Sequence, residues 1–234
     1  MTKIESRYGS ADPTLVSRVF YQFVRGVLAG LAKLLFRLEI HGREHVPADG
    51  AFILAPGAHR SNIETFVVCL VTRRRLRYMG KDSLWKHPAS DWFFSSLGGF
   101  PVNRDTADRE ALNQTLDLVG EGEPVVMFPE GTRRTGPVID PDHVKDGVAY
   151  VASRAQVPIV PVGIGGSERV MPPKAKYLRP SKMVLIVGEP ISPAPLKDNG
   201  RPSRSAVRTL TDDLRATLQG LFDDAQRRAG TPNT

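Results

Sequence analysis

The sequence predicts an α/β protein whose mixed sheet is flanked by helices and preceded by an amphipathic helical segment at the N-terminus. Short apolar segments of strand length alternate with helical patterns from His41 onward, which is typical of layered α/β folds. Apolar residues recur at helical spacing between residues 14 and 37. Hydrophobic residues make up 41% of the 234 residues, which is enough for a large core.

The N-terminal segment is predicted to be a cationic amphipathic helix over residues 14–37, or two helices divided around Gly26 and Gly30. Basic residues such as Arg25 and Lys33 interrupt its apolar run, so we expect it to lie in a membrane interface rather than to span the bilayer. Packing of its apolar face onto the rest of the protein is the alternative. We therefore divide the chain into a tail with this helical segment, residues 1–37, and a domain, residues 38–234.

The domain has its predicted elements in a definite order. Strands are expected at residues 51–55, 125–128, 158–164 and 183–187. Helices are expected at residues 61–72, 105–120, 143–154 and 203–228. Aromatic residues and glycines mix in residues 78–102, which receive no assignment, and residues 190–204 are predicted to be a loop. Two prolines favour an edge or an irregular ladder for the strand at 158–164.

A histidine and a carboxylate follow the first strand of the domain. His59 comes after a Pro-Gly turn and directly before the helix at 61–72, and Glu64 lies five residues further on. A carboxylate beside a histidine can orient a general base and stabilise its charged form. Ser61 and Glu64 also fit a capping box, in which Glu64 would only satisfy backbone donors. Both interpretations remain open from the residues alone.

The segment 128–134 directly follows the predicted strand at 125–128. It places Glu130, Gly131, Arg133 and Arg134 at the carboxyl end of that strand, where ligands bind in open α/β sheets. Arginine holds phosphate by paired hydrogen bonds, and a carboxylate can accept from hydroxyls. The segment therefore suits a phosphorylated polyol, although a turn with solvated arginines is the plain alternative. Arg104 follows another short apolar segment.

Composition narrows the classes of function. The net charge of +7 favours anionic partners, but no nucleic-acid recognition pattern accompanies it. The single cysteine, Cys69, excludes an intrachain disulfide, and no metal-ligand spacing is present. No Walker A pattern or dinucleotide glycine fingerprint occurs. The sequence therefore predicts no metal and no bound cofactor.

Four blocks in order resemble the glycerophospholipid acyltransferase family, in its 1-acylglycerol-3-phosphate acyltransferase branch. The first block, residues 58–64, resembles the family's Asn-His-x4-Asp with Ala58 and Glu64 at its ends. The second resembles residues 99–104, and the third, Phe-Pro-Glu-Gly-Thr-Arg, matches residues 128–133 letter for letter. The fourth resembles residues 157–162. Four ordered blocks are far more specific than any one of them.

The resemblance implies a role for each block. His59 would be the general base that takes the proton of the acceptor hydroxyl, and Glu64 would replace the family's Asp in orienting it. Arg104 and Arg133 would hold the acceptor phosphate, and Glu130 would face its hydroxyl side. The remaining candidate positions are Gly131 and Thr132 for the acceptor, and Lys81 and Lys145 for CoA or a lipid headgroup.

The implied activity is transfer of a fatty acyl group from acyl-CoA to the free hydroxyl of 1-acylglycerol 3-phosphate, which gives phosphatidic acid for phospholipid biosynthesis. Acyl carrier protein is the other candidate donor. The alternatives are acylation of glycerol 3-phosphate or another lysolipid, and a non-catalytic lipid-binding relative. We expect a peripheral or monotopic enzyme on the cytoplasmic face of a membrane, bound through the N-terminal helix and basic patches, with no nucleic-acid partner.

Overall fold

The computed structural model describes residues 14–102, 108–172, 175 and 177–233. Its strands are β1 (Glu39–His41), β2 (Ile53–Pro56), β3 (Arg77–Lys81), β4 (Gly99–Val102), β5 (Val125–Val126), β6 (Ile159–Gly165) and β7 (Val184–Val187). They form a seven-stranded sheet in the order β1-β7-β6-β2-β5-β3-β4. Neighbours from β6 to β4 are parallel, whereas β7 is antiparallel to β6 and parallel to β1. The prediction of a mixed sheet is confirmed.

Helices cover both faces of this sheet. The helices of the described chain are α1 (Leu15–Phe36), α2 (Ile63–Val67), α3 (Pro88–Ser96), α4 (Asp108–Gly120), α5 (Gly147–Ala155), α6 (Ser167–Val170) and α7 (Arg204–Ala229). Successive residues of a strand point to opposite faces. Ile53 and Ala55 pack with α4, α5 and α7, and Leu54 packs with α1 and α2. Because both faces are covered, all four residues of β2 are buried.

The closing helix α7 agrees with the predicted helix at 203–228 to within one residue at each end. Ser203 caps it by accepting a hydrogen bond from the amide of Ala206, and Gly230 ends it in the left-handed conformation. The helix lies directly on β6. A Cβ atom at Gly163 would come within 2.4 Å of the carbonyl oxygen of Leu221, so glycine permits this close approach.

Short elements differ more from the sequence prediction. The helix expected at 61–72 is α2 followed by a 3₁₀ turn, Val68–Val71, whose four residues are all buried. Four consecutive buried residues do not share one face of an α-helix, and the tighter turn accommodates them. The unassigned residues 78–102 include most of β3, all of α3 and all of β4.

The proline-containing strand β6 lies inside the sheet between β7 and β2, not at an edge. Its ladder is nevertheless irregular, as the prolines predicted. Ile159 pairs with Ile191 and Val162 pairs with Val187, so three steps along β6 correspond to four steps on its partner. Pro161, which has no amide hydrogen to donate, lies in this irregular stretch.

One continuous helix, α1, occupies the N-terminal segment and passes through Gly26 and Gly30 without a break. Its polar residues hold it against the domain by bonds to backbone carbonyls. The Tyr21 hydroxyl donates to the carbonyl of Arg74, and Arg25 Nε donates to that of Thr72 at 2.9 Å. Two residues of the helix itself, Ala32 and Phe36, are buried in the core. The helix therefore lies along the domain.

The opposite face of α1 is apolar and exposed. Its exposed large side chains are Leu15, Val16, Val19, Phe23, Val27, Leu31 and Leu34. By length and composition alone this helix could cross a membrane. It does not stand free of the domain, however, because its other face is engaged with residues 70–74.

Candidate active site

The sheet topology brings candidate catalytic and binding residues to the edge formed by the carboxyl ends of the parallel strands. Because β2, β3, β5 and β6 are parallel, their carboxyl ends lie on the same side of the sheet. His59 follows β2, Glu130 follows β5 and Lys81 ends β3. Ser167, which belongs to none of the four sequence blocks, follows β6 at the same edge. The site is built from loops that a rigid sheet positions.

His59 and Glu64 are in direct contact. The distance between His59 Nδ1 and Glu64 Oε2 is 2.6 Å, with the carboxylate fully buried and the histidine side chain 14% exposed. Ala58 has a φ of 56°, a left-handed conformation that turns the chain sharply between β2 and α2. The ring of Phe128 lies 4.3 Å from the imidazole, measured between centroids. With Nδ1–H donated to Glu64, the tautomer leaves Nε2 available to accept a proton.

Glu64 accepts four further hydrogen bonds from the described part of the chain. The amide of Arg60 donates to both carboxylate oxygens, at 3.0 and 3.1 Å. The amide of Ser61 donates to Oε1 at 3.1 Å, and the Ser167 hydroxyl donates to the same oxygen at 2.5 Å. Glu64 therefore satisfies backbone donors and contacts His59 at once, so the two interpretations left open by the sequence are compatible.

The complete capping box is not formed. The N-cap position of α2 is Asn62, which makes no side-chain capping bond. The Ser61 hydroxyl instead donates to the carbonyl of Met171 at 3.0 Å. Glu64 is thus held by the loop that carries His59 and by α6, and less by the helix that contains it.

Burial raises the pKa of the Glu64 carboxyl, and burial is the largest influence on it. Hydrogen bonds from His59, Ser167 and the Arg60 amide act in the opposite direction because they stabilise the ionised form. The charge state of this carboxylate therefore depends on its donors, and losing any of them would raise its pKa further.

Glu130 occupies a different position from the one expected of an acceptor contact. Its side chain is 2% exposed, and both carboxylate oxygens are engaged within the protein. Oε2 accepts the backbone amide of His59 at 2.7 Å, and Oε1 pairs with Arg60 Nη1 at 3.0 Å. Both oxygens of Glu130 are thus used within the protein, by the loop that carries His59 and by Arg60.

Arg60 is the buried cation of this arrangement. Beyond Glu130, its guanidinium donates to the carbonyls of Gly136 at 3.0 Å and Val138 at 3.1 Å. Its Cζ lies 5.4 Å from the ring centroid of Phe222 on α7. Arg60 therefore links the first block, the loop after the third block and the closing helix.

The remaining predicted residues that the structure describes lie at the surface or at the border of the site. Gly131, Thr132 and Arg133 are exposed, and the amide of the next residue, Arg134, donates to the carbonyl of His59 at 2.8 Å. Lys145 lies over Gly131, since its Nζ would be 3.9 Å from a Cβ atom there. Lys81 is exposed at the end of β3. Arg104 falls outside the described residues, and its role stays a prediction.

A cavity of about 820 Å³ opens beside His59. Gly131 and Lys145 border it near the histidine, whereas the wall formed by β3, β4, β5, α4 and α5 is largely apolar. Its apolar lining includes Met79, Val102, Leu112, Met127 and Val148. One cavity thus offers a polar end with a base and an apolar region large enough for a hydrocarbon chain.

Two residues of this site, Arg60 and Ser167, were missed from the sequence. The sequence gives no signal for Arg60, because a basic residue beside a histidine is ordinarily solvated. For Ser167 a signal existed, because it follows Gly165 and Gly166 at the end of a predicted strand, where site residues concentrate in α/β sheets.

Comparison with known proteins also relates this chain to acyltransferases. A family model described as Acyltransferase matches residues 37–165, more than half of the chain. The 1-acyl-sn-glycerol-3-phosphate acyltransferase of Bacillus subtilis is 27% identical over 203 residues, which cover 86% of this chain and 96% of that protein. An enzyme of the same name from Chlamydomonas reinhardtii is 29% identical over 163 residues. This chain spans 48% of the length of that algal protein.

The fold is also found in a solved structure. The crystal structure of the 1-acyl-sn-glycerophosphate acyltransferase PlsC from Thermotoga maritima matches with a TM-score of 0.69. The match covers 92% of this chain and 84% of that one at 22% sequence identity. At this identity the likeness supports the fold, namely a mixed sheet flanked by helices.

Proposed function

The chain belongs to the acyltransferase family, and we propose that it moves a fatty acyl group from acyl-CoA to the free hydroxyl of 1-acylglycerol 3-phosphate. The product would be phosphatidic acid. The observation that carries this proposal is the His59–Glu64 pair at the polar end of a largely apolar cavity. The name of the Bacillus subtilis relative favours this acceptor over others.

In the proposed reaction, His59 Nε2 removes the proton of the acceptor hydroxyl while that oxygen attacks the thioester carbonyl. The buried Glu64 stabilises the imidazolium that forms. When the tetrahedral intermediate collapses, the carbon–sulfur bond breaks, and His59 returns its proton to the departing thiolate. The products are the new ester and free CoA. The acceptor oxygen performs the attack, so the mechanism requires no covalent acyl-enzyme.

Cations around the polar end suit the phosphate of the acceptor. Arg133 is exposed on the loop whose neighbouring residue bonds the carbonyl of His59, and Lys145 borders the cavity. Guanidinium and ammonium groups bind phosphate by charge-assisted hydrogen bonds. We assign Arg133, with Arg104 as a further candidate, to the acceptor phosphate, and Lys81 and Lys145 to CoA or a lipid headgroup. Glu130 takes the role of positioning His59.

The apolar part of the cavity is proposed to take the acyl chain. Each methylene removed from water contributes about 0.8 kcal/mol, so a long-chain thioester would be bound mainly by this region. Placing the chain there brings the thioester carbon to the His59 end.

The exposed apolar face of α1 is proposed to lie in the membrane interface on the cytoplasmic side. The face continues onto α3, because the ring of Phe20 lies 4.9 Å from Trp92 and 5.9 Å from Phe93, measured between centroids. Trp92 and Phe93 are themselves 47% and 41% exposed. Aromatic rings at headgroup level are common in interfacial proteins. An acceptor that resides in a bilayer could reach the site from such a surface.

Trp92 gives a direct test of this orientation. We expect the tryptophan emission of the protein to shift to shorter wavelength on addition of anionic phospholipid vesicles, and brominated acyl chains to quench it. The Trp92→Phe variant retains only Trp85, which is 7% exposed, and should show neither change. Equal shifts in both proteins, or no shift while the protein sediments with vesicles, would place the bound surface elsewhere.

The reaction itself is tested by thiol release from oleoyl-CoA, with lysophosphatidate, glycerol 3-phosphate or no acceptor in parallel. We expect release that depends on lysophosphatidate, with phosphatidic acid as the lipid product by mass spectrometry. Release with glycerol 3-phosphate alone would favour the glycerol-phosphate alternative. Release only with acyl carrier protein thioesters would change the donor. A folded protein that binds lysolipid without any release would be the non-catalytic relative.

A further inference from the structure

Ser167 makes a contact with the catalytic pair that no block of the sequence pattern includes. Its hydroxyl donates to Glu64 Oε1 at 2.5 Å, although the two residues are 103 positions apart. Ser167 and Glu64 are both almost completely buried. A hydroxyl that donates to an ionised, buried carboxylate makes one of the stronger hydrogen bonds in proteins.

The position of Ser167 is fixed from the far side by α7. Gly166, with a φ of 79°, forms the turn between β6 and α6, and its amide donates to Gln226 Oε1 at 2.8 Å. Gln226 is buried near the end of α7 and also donates to Glu168 Oε2 at 3.1 Å. A Cβ atom at Gly166 would lie 2.2 Å from the carbonyl oxygen of Lys182. The turn therefore has little freedom to move.

The two carboxylate oxygens of Glu64 have different hydrogen-bond partners. Oε1 accepts from Ser167 and the Ser61 amide, whereas Oε2 contacts His59 Nδ1, and the Arg60 amide donates to both oxygens. Among the described residues, the Ser167 hydroxyl, held by α6, is the one donor to Glu64 that lies outside residues 59–61. Without it, the hydrogen bonds that the described residues make to the Glu64 carboxylate would all come from the loop that carries His59. A glutamate has one more methylene than an aspartate, and so has more rotational freedom to restrict.

We propose that Ser167 is a positioning residue, which anchors Oε1 so that Oε2 stays on His59, and that α7 sets its position through Gln226 and Gly166. The inference rests on the proposed general-base role of His59. It adds a fixed link from the closing helix to the catalytic pair.

The role proposed for Ser167 also predicts a change in the pH dependence of the rate, through the charge of Glu64. The Ser167 hydrogen bond lowers the pKa of Glu64, against the larger effect of burial, which raises it. Removing the hydroxyl should therefore raise that pKa further, and the acid limb of the rate profile should move to higher pH. The titratable side chain bonded to Glu64 is His59, while the nearby Arg60 guanidinium is paired with Glu130.

The test compares Ser167→Ala with Ser153→Ala, in the wild type and in the Glu64→Asp background. Ser153 is an equally buried serine whose hydroxyl accepts the amide of Ala194, away from the site. We expect Ser167→Ala to lower kcat about 10-fold, to leave the KM values unchanged and to shift the acid limb. Ser153→Ala should keep the wild-type kcat. In Glu64→Asp, whose shorter side chain lies further from residue 167, the serine should matter less.

The other possible outcomes would contradict either the proposed function or the role proposed for Ser167. A wild-type protein without thiol release contradicts the proposed function itself, whereas an active wild type with an unaffected Ser167→Ala contradicts only this inference. Equal losses from Ser167→Ala in both backgrounds would mean that the serine acts independently of Glu64. If Ser167→Ala does not fold, Ser167→Cys, which has similar volume and is a weak donor, should show the same pH shift; a wild-type profile would overturn the proposal.

Discussion

Replacing His59 by alanine is expected to lower kcat for acyl transfer by about 10²- to 10⁴-fold, the range of a lost general base. The imidazole is the titratable group that borders the cavity with one nitrogen held by Glu64 and the other available to the acceptor hydroxyl. Its removal leaves no group at that position to accept the proton. Binding of both substrates should change much less than the rate, because the residues proposed to contact the phosphate and the acyl chain remain.

The measurement is steady-state thiol release with lysophosphatidate, together with thermal unfolding to verify that the variant is folded. His143→Ala is a matched control, since His143 is a partly exposed histidine whose Nδ1 lies 3.4 Å from Asp140 Oδ2. It should retain wild-type kcat. If His59→Ala keeps more than about one tenth of the wild-type kcat, well short of the loss expected for a general base, proton removal by His59 is not part of the mechanism.

The features predicted correctly from the sequence are those set by residues that lie close together in the chain. His59 and Glu64 are five residues apart on a strand-to-helix corner, so their contact follows from short-range geometry. The helix α7 was predicted well because its 26 residues repeat the apolar period many times and carry a serine cap. The parallel arrangement of β2, β5 and β6 then gathers the blocks at one edge.

Long-range contacts account for what the sequence could not show. Glu130 carries the motif of a substrate contact, yet its partners, Arg60 and the His59 amide, are about 70 residues away in the chain. Both carboxylates are buried, and neither Glu64 nor Glu130 borders the cavity. That enclosure depends on packing, which the residue types alone do not reveal. The Ser167 contact with Glu64 is equally invisible, because it requires the register of β6 against β2.

Breaking the buried ion pair between Arg60 and Glu130 should cost far more stability than breaking a surface pair. We expect Arg60→Met to lower the free energy of unfolding by about 3–5 kcal/mol, because Glu130 would be left as an uncompensated buried charge. The carbonyls of Gly136 and Val138 would lose their donors as well. Arg228→Met on α7 is the control. Its pair with Asp224 is partly exposed to solvent, so about 0–1 kcal/mol is expected.

The double variant Arg60→Met, Glu130→Gln separates charge from packing. Glutamine removes the unpaired charge and still offers its carbonyl oxygen to the amide of His59, so denaturant unfolding should show recovery of part of the lost stability. Glu130→Gln alone should lower both stability and kcat, since it weakens the pairing with Arg60 and the hold on the histidine loop. The opposite result would be a Glu130→Gln protein of unchanged stability with a raised KM for lysophosphatidate alone. That result would support direct contact between Glu130 and the acceptor, as the sequence motif predicts. A buried carboxylate that only positions His59 would not change the KM of one substrate selectively.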